Sequence, residues 1–197
     1  MSWSAPEAAE PSKILAEFLS LVCARRAAEL VDLGPVVGAN VAFLGERLAC
    51  KIHVEDLYAD LDRHAREHAL DRLPRFLQRR FPLRDASVDA VLGWDVFDYL
   101  APAAATVLAA ELTRLLRPGG ALLGFFGVGA GPEPHTYTRY VIEDEAHLRR
   151  RPYDGACGRA RVLQNRDITT LFAGLELRGA VLLRSGVREV LFQKPAA

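Results

Sequence analysis

Two kinds of apolar spacing alternate along this chain, and that alternation constrains its fold more than any other feature. Glu29-Leu30-Val31-Asp32-Leu33-Gly34 is a short apolar run that ends on a glycine turn. Asn40–Leu48 follows, with Val41, Leu44 and Leu48 on one helical face. The pattern repeats: Lys51–Glu55 reads as a second strand and Leu57–Leu70 as a charged helix. Val88–Trp94 is a clear strand, and Pro102 opens a helix carrying Val107, Leu108, Leu112, Leu115 and Leu116. Ala121–Phe126 is again an apolar strand. Alternation of this kind predicts an α/β domain with a mostly parallel sheet covered by helices on both faces.

The flanking segments are read more simply. Residues 1–11 are small, polar and proline-containing, as expected of a flexible N-terminal tail, so the folded domain is expected over 12–197. Ser12 is placed to cap a helix with Ile14, Phe18 and Val22 at every fourth position. Pro74 and Pro82 interrupt residues 71–86, so any third strand around Phe76-Leu77 must be short. Residues 128–165 read as irregular. Asp167–Phe172 reads as a short helix, and Leu175–Leu183 with Val187–Phe192 as an antiparallel hairpin turned at Ser185-Gly186.

Charge and cysteine content exclude some classes. With 25 basic and 25 acidic residues, the surface as a whole is not built for nucleic acid or anionic membrane. Cys23, Cys50 and Cys157 form no paired framework, no leader-like segment is seen, and no apolar run is long enough to span a bilayer. The expectation is a cytoplasmic protein.

A sheet of this type binds ligands beyond the carboxyl ends of its strands. That places Asp32, the turn Gly34-Pro35-Val36-Val37-Gly38 and Asp95 at one point. Glycine in the turn lets backbone approach a ligand closely, and the following helix start, with Asn40, offers free N–H groups. Glu55, 21 residues after Gly34, can accept hydrogen bonds from both hydroxyls of a ribose. The ligand these residues suit is a nucleoside-containing cofactor.

Several segments together resemble class I S-adenosylmethionine-dependent methyltransferases of the methyltransferase type 11 kind. They are Asp32-Leu33-Gly34 with Gly38, Val54-Glu55, Phe81 through Leu92, and Glu111 through Gly120 with its Arg-Pro-Gly-Gly end. The resemblance implies a three-layer Rossmann-like fold with a mostly parallel seven-stranded sheet and an antiparallel C-terminal hairpin. It implies S-adenosylmethionine as cofactor and methyl transfer to a small-molecule or protein acceptor, with nucleic acid and membrane not expected as partners. By the same resemblance, Asp32, Gly34, Pro35, Gly38 and Asn40 would surround the methionine part. Glu55 and Asp56 would hold the ribose, and Trp94 and Asp95 would lie by the cofactor and acceptor. Tyr99, His135, Tyr137 and Tyr140 are the candidate acceptor contacts. No catalytic residue and no metal ligand is implied.

Two departures stand out. Val36 occupies the position of the family's middle glycine, and no carboxylate lies between Asp71 and Asp85, where the family often has one near the adenine; Gln78 is the nearest substitute. These motivate an alternative, a methyltransferase-like binding or scaffold protein without catalysis. A short-chain nicotinamide oxidoreductase is disfavoured, because no lysine lies four residues after a tyrosine. His64-Ala65-Arg66-Glu67-His68 matches a zinc-peptidase pattern, but nothing else supports a peptidase. Arg149-Arg150-Arg151 with Arg159, Arg161 and Arg166 makes a basic segment, preceded by Glu143-Asp144-Glu145.

Overall fold

The structure, a computed structural model, describes residues 9–129 and 135–196. Along the chain lie β1 (Glu10–Pro11), α1 (Leu15–Cys23), β2 (Glu29–Asp32), α2 (Gly38–Leu48), β3 (Lys51–Val54) and α3 (Leu57–Arg66). A 3-10 turn (Leu70–Arg72) runs into α4 (Leu73–Leu77). Then come β4 (Val88–Trp94), α5 (Pro102–Leu115), β5 (Leu116–Gly127), β6 (Thr136–Ile142), β7 (His147–Asp154), α6 (Asn165–Leu171), β8 (Glu176–Leu182) and β9 (Val187–Gln193).

Six strands form the main sheet in the order β3-β2-β4-β5-β9-β8. The first four are parallel, and β9 and β8 run antiparallel as the expected hairpin. β4 is buried at all seven positions, as a central parallel strand covered on both faces must be. On one face Val31, Leu33, Val91 and Leu122 pack with α3, α4 and α5. On the other Leu30, Leu92, Leu123 and Phe125 pack with α1 and α2. The result is the three-layer α/β arrangement expected.

The count of seven strands needs correction: the main sheet has six among the described residues. The segment around Phe76-Leu77 is helical. Pro74 sits in the first turn of α4, where its missing N–H costs nothing, and Leu73 and Leu77 point one turn apart into the core. β3 is therefore left as the edge of the sheet.

Residues 128–165 are also more ordered than their composition suggests. β6 and β7 form a hairpin, and β1 joins it as a third strand. Glu10 and Pro11, read as part of the tail, are thus paired with Leu148 and His147; residues 1–8 of that tail lie outside the described residues. This small sheet lies across the carboxyl ends of the main strands. Tyr140, Ile142 and Leu148 join the core on the α1/α2 side, and Tyr137 joins the core on the other. No described helix is long and apolar enough to cross a membrane.

The family-like segments have structural work of their own. The Asp89 carboxylate, at the start of β4, accepts from the Glu29 backbone N–H at 2.9 Å and from Arg117 at 2.7 Å. It ties three elements at the end of the sheet far from the ligand edge. A Cβ on Gly120 would stand 2.9 Å from the Arg117 carbonyl, so only glycine fits there.

Candidate functional site

The site assembles where β2 and β4 end. Asp32 is buried, and its Oδ1 accepts from the Gly34 N–H at 2.9 Å and from the Trp94 indole N–H at 2.5 Å. Trp94 has a left-handed backbone (φ 46°), uncommon for a bulky residue. Its ring is turned back across the turn: a Cβ on Gly34 would lie 2.7 Å from Trp94 Nε1. Tyr140 of β6 stacks flat on the indole (centroids 5.2 Å apart, planes 6° apart), and Phe125 meets it edge-on at 5.7 Å.

Next along β4's end, Asp95 accepts a hydrogen bond from the Tyr58 hydroxyl, while its Oδ2 is buried with no hydrogen-bond partner. Asp98 lies one turn on. Its Oδ2 accepts from the Gly127 N–H at 2.8 Å, and its Oδ1 is buried without a partner. Arg159 is the cation that both share, with Nη2 3.9 Å from Asp95 and Nε 3.5 Å from Asp98. Burial pushes the Asp32 carboxyl up to about 6 and Asp98 up to about 7, and raises Asp95 as well. For Asp32 the two hydrogen bonds oppose the shift without cancelling it.

At the end of β3, Glu55 is held by Arg80. Arg80 Nη1 lies 2.5 Å from Glu55 Oε2, Nη2 donates to the Glu55 carbonyl at 2.6 Å, and Nε donates to Asp60 at 2.7 Å. Asp56 caps α3, accepting from the Ala59 N–H at 3.2 Å.

The structure brings Asp32, Gly34, Trp94, Asp95 and Tyr140 into one contact region and gives other expected residues different work. Asn40 holds the lid sheet: its side chain donates to the Tyr140 carbonyl at 2.9 Å and accepts from the Ile142 N–H at 2.8 Å. Gly38 has open space where a Cβ would be, and Pro35 is half-buried beside an exposed Val36. Tyr99 donates to the Thr136 carbonyl at 3.0 Å, and the Tyr137 hydroxyl accepts from the Cys157 N–H. His135 is exposed, with Nδ1 3.0 Å from the Ala156 carbonyl. Gln78 is exposed, and the residue that reaches Glu55 from this segment is Arg80. His64 is buried with Nδ1 2.7 Å from the Asp60 carbonyl, whereas His68 lies past the end of α3, so the two do not share a helical face.

Sequence reading passed over Tyr58, Arg80 and Tyr153, and took Arg159 only as one member of a basic segment. Four of the five tyrosines of the chain in fact converge: Tyr58 lies 5.1 Å from Tyr137 and 5.9 Å from Tyr99, and Tyr137 lies 5.6 Å from Tyr153, centroid to centroid. The signal available was their number, since a chain with only five tyrosines places three of them within 17 residues of an apparent loop.

The donor set suits the implied cofactor. Three buried carboxylates, two with unpartnered oxygens, lie beyond the ends of β2 and β4, with one cation among them. A ligand carrying positive charge would meet an unfilled electrostatic demand there. The space beside Gly34 is taken by the Trp94 indole.

Comparison with known proteins agrees with this fold. Residues 31–124 match the family described as Methyltransferase domain. No protein of curated function matches the chain. Among solved structures, a SAM-dependent methyltransferase from Aquifex aeolicus superposes with a TM-score of 0.53 at 15% identity, covering 93% of each chain. The 1,6-didemethyltoxoflavin-N1-methyltransferase of Burkholderia thailandensis, solved with 1,6-didemethyltoxoflavin and S-adenosylhomocysteine, gives 0.52 at 14% identity, over 93% of this chain and 79% of that one. The [4+2]-cyclase SpnF gives 0.53 at 15% identity, over 92% of this chain and 82% of that one. Residues 31–124 are thus similar to a methyltransferase domain, and the chain has the fold of S-adenosylmethionine-dependent methyltransferases.

Proposed function

We propose that this chain binds S-adenosylmethionine at the ends of β2 and β4 and transfers its methyl group to a small-molecule or protein acceptor. The observation that carries the reading is the cation-deficient cluster of Asp32, Asp95 and Asp98. A sulfonium and an ammonium group would supply the missing positive charge, and attraction between opposite charges strengthens where burial lowers the local dielectric. Asp32 would face the methionine end and Glu55 the ribose. Methyl transfer is an in-line displacement, in which alignment of acceptor, methyl and sulfur supplies most of the acceleration. The cofactor contributes the electrophilic methyl; the chain's residues bind, orient and exclude water.

A second reading, a binding or scaffold domain without turnover, is favoured by one specific observation. The family-type cradle here is engaged from within, Asp32 by Trp94 and Glu55 by Arg80. One fold neighbour described as a [4+2]-cyclase illustrates that this architecture is not tied to a single reaction.

Calorimetry with S-adenosylmethionine and S-adenosylhomocysteine separates the two. The methyltransferase reading expects binding in roughly the micromolar range, tighter for the charged donor than for its neutral-sulfur product. Absence of heat with both ligands, in a protein that melts cooperatively, rejects it in favour of the scaffold.

A further inference from the structure

We infer that Trp94 and Arg80 are built-in occupants of the cofactor cleft: the chain holds its own site shut, and a ligand enters only by exchanging with these two side chains. The inference rests on the proposed S-adenosylmethionine reading for the identity of the ligand, but its geometry is independent of it.

At the methionine end, the indole makes the contacts a ligand would make. Its N–H takes Asp32 Oδ1, the same atom that accepts from Gly34, and its ring lies against Gly34, where a side chain is excluded. A glycine where an added Cβ would meet a side chain of its own protein at 2.7 Å is a close-approach position that is already in use. The indole is kept there by Tyr140 and Phe125 and is 3% exposed. Tyr140 is in turn fixed through its backbone by Asn40.

At the ribose end, Arg80 holds Glu55. One guanidinium bridges the Glu55 side chain, the Glu55 carbonyl and Asp60. The carboxylate oxygen it takes is one of the two that a pair of hydroxyls would use, so Arg80 competes with a ribose for Glu55. Arg80 reaches Glu55 because the segment that would have formed the family's third strand is instead α4 and the turn after it. Val36, at the tip of the turn, is exposed and takes no part in the closure.

The two ends make separable demands. Displacing Trp94 costs a charge-assisted hydrogen bond and an aromatic stack, and displacing Arg80 costs two ion pairs. A closed form that is strongly favoured lowers apparent affinity by the fraction of time the site is open.

The test uses the full chain carrying Trp3→Phe, so that Trp94 is the sole tryptophan. Without ligand, Trp94 emission should be blue-shifted and shielded from acrylamide. Titration with S-adenosylmethionine should shift it to the red and make it quenchable. By calorimetry, Trp94→Ala in the otherwise native chain should bind S-adenosylmethionine about tenfold or more tighter than the parent. Arg80→Met should raise affinity for adenosine, used alone as the probe of the ribose end. Should Trp94→Ala fail to fold, Trp94→Phe keeps most of the ring and drops only the indole donor, and should bind several-fold tighter. Equal affinities in parent and variants, with Trp94 emission unchanged on binding, overturn the occupant role while leaving the S-adenosylmethionine reading intact. Absence of binding in parent and variants alike, with the fold intact, overturns both.

Discussion

The Asn40 side-chain amide spans the Tyr140 carbonyl and the Ile142 N–H, joining the first turn of α2 to the C-terminal end of β6. Both backbone groups are buried, and both would lose their partner together. Removing a buried hydrogen-bond partner costs the desolvation of the group left behind, about 1–3 kcal/mol. Asn40→Ala should therefore destabilise the protein by about 2–3 kcal/mol in urea unfolding. Amide exchange at Ile142 should rise by more than exchange in β4. Asn40→Asp, which keeps an acceptor for Ile142 and loses the donor to Tyr140, should fall between the two.

Asn40 also shows how sequence and structure diverge at this site. Its position just inside a helix that follows a glycine turn marked it as a ligand contact, and nothing local distinguishes such a residue from a clamp. The deciding partner lies 100 residues away. The strands β2, β3 and β4 and the closing hairpin were legible because each carries its own periodicity or turn residues. The β6–β7 hairpin was not, because its four arginines, most of them half-buried, stand among tyrosines and mix polar and apolar residues on both faces. The same holds for Arg80. A proline-broken segment looked like a short strand, and its helical form depends on Leu73 and Leu77 packing into a core that the sequence does not display. Asp32 and Asp95 stand at the ends of β2 and β4, where the general rule about strand ends puts them; their internal partners depend on the lid.

Asp32 gives a pH signature. Its ordinary value is 3.8 and burial raises it to about 6 in the folded protein. The native state thus holds this proton more tightly than the unfolded chain. The contribution is fully present below 3.8 and is lost as pH rises through about 6. Asp32→Asn keeps an Oδ1 that can accept from both Gly34 and Trp94 and carries no charge to bury. It should be at least as stable as the parent at pH 8, by up to about 3 kcal/mol. Its stability should also fall less steeply between pH 4 and 6. A steeper fall in the variant would contradict the assignment.

Arg159 should show the complementary behaviour. It is the cation near both Asp95 and Asp98, and its charge holds down carboxyls that burial pushes up. Arg159→Met leaves two buried carboxylates uncompensated, which at pH 8 should cost about 3 kcal/mol or more. At pH 5.5, below the value of about 7 for Asp98, that carboxyl is protonated and the loss should be smaller. Thermal unfolding of parent and variant at the two pH values checks the difference. A pH-independent loss would mean that Arg159 acts by packing alone.

Glu189 tests the attachment of the N-terminal helix. Its carboxylate is buried in β9, yet Oε2 accepts from the backbone N–H groups of Lys13, at 2.8 Å, and Ile14, at 3.2 Å. Those donors lie just before α1, where the helix has free N–H groups and a partial positive charge. No cation is paired with Glu189 among the described residues, so the helix start supplies its compensation. Glu189→Ala should leave two buried N–H groups unpaired and cost about 2–4 kcal/mol. Glu189→Gln retains an acceptor oxygen of the same reach and should recover more than half of that loss. Because α1 packs against the same core as Trp94 and Tyr140, Glu189→Ala should also loosen the lid. Acrylamide quenching of Trp94 in the Trp3→Phe background should rise in Glu189→Ala and stay near the parent value in Glu189→Gln. Equal quenching in the two variants would confine the role of Glu189 to the start of α1.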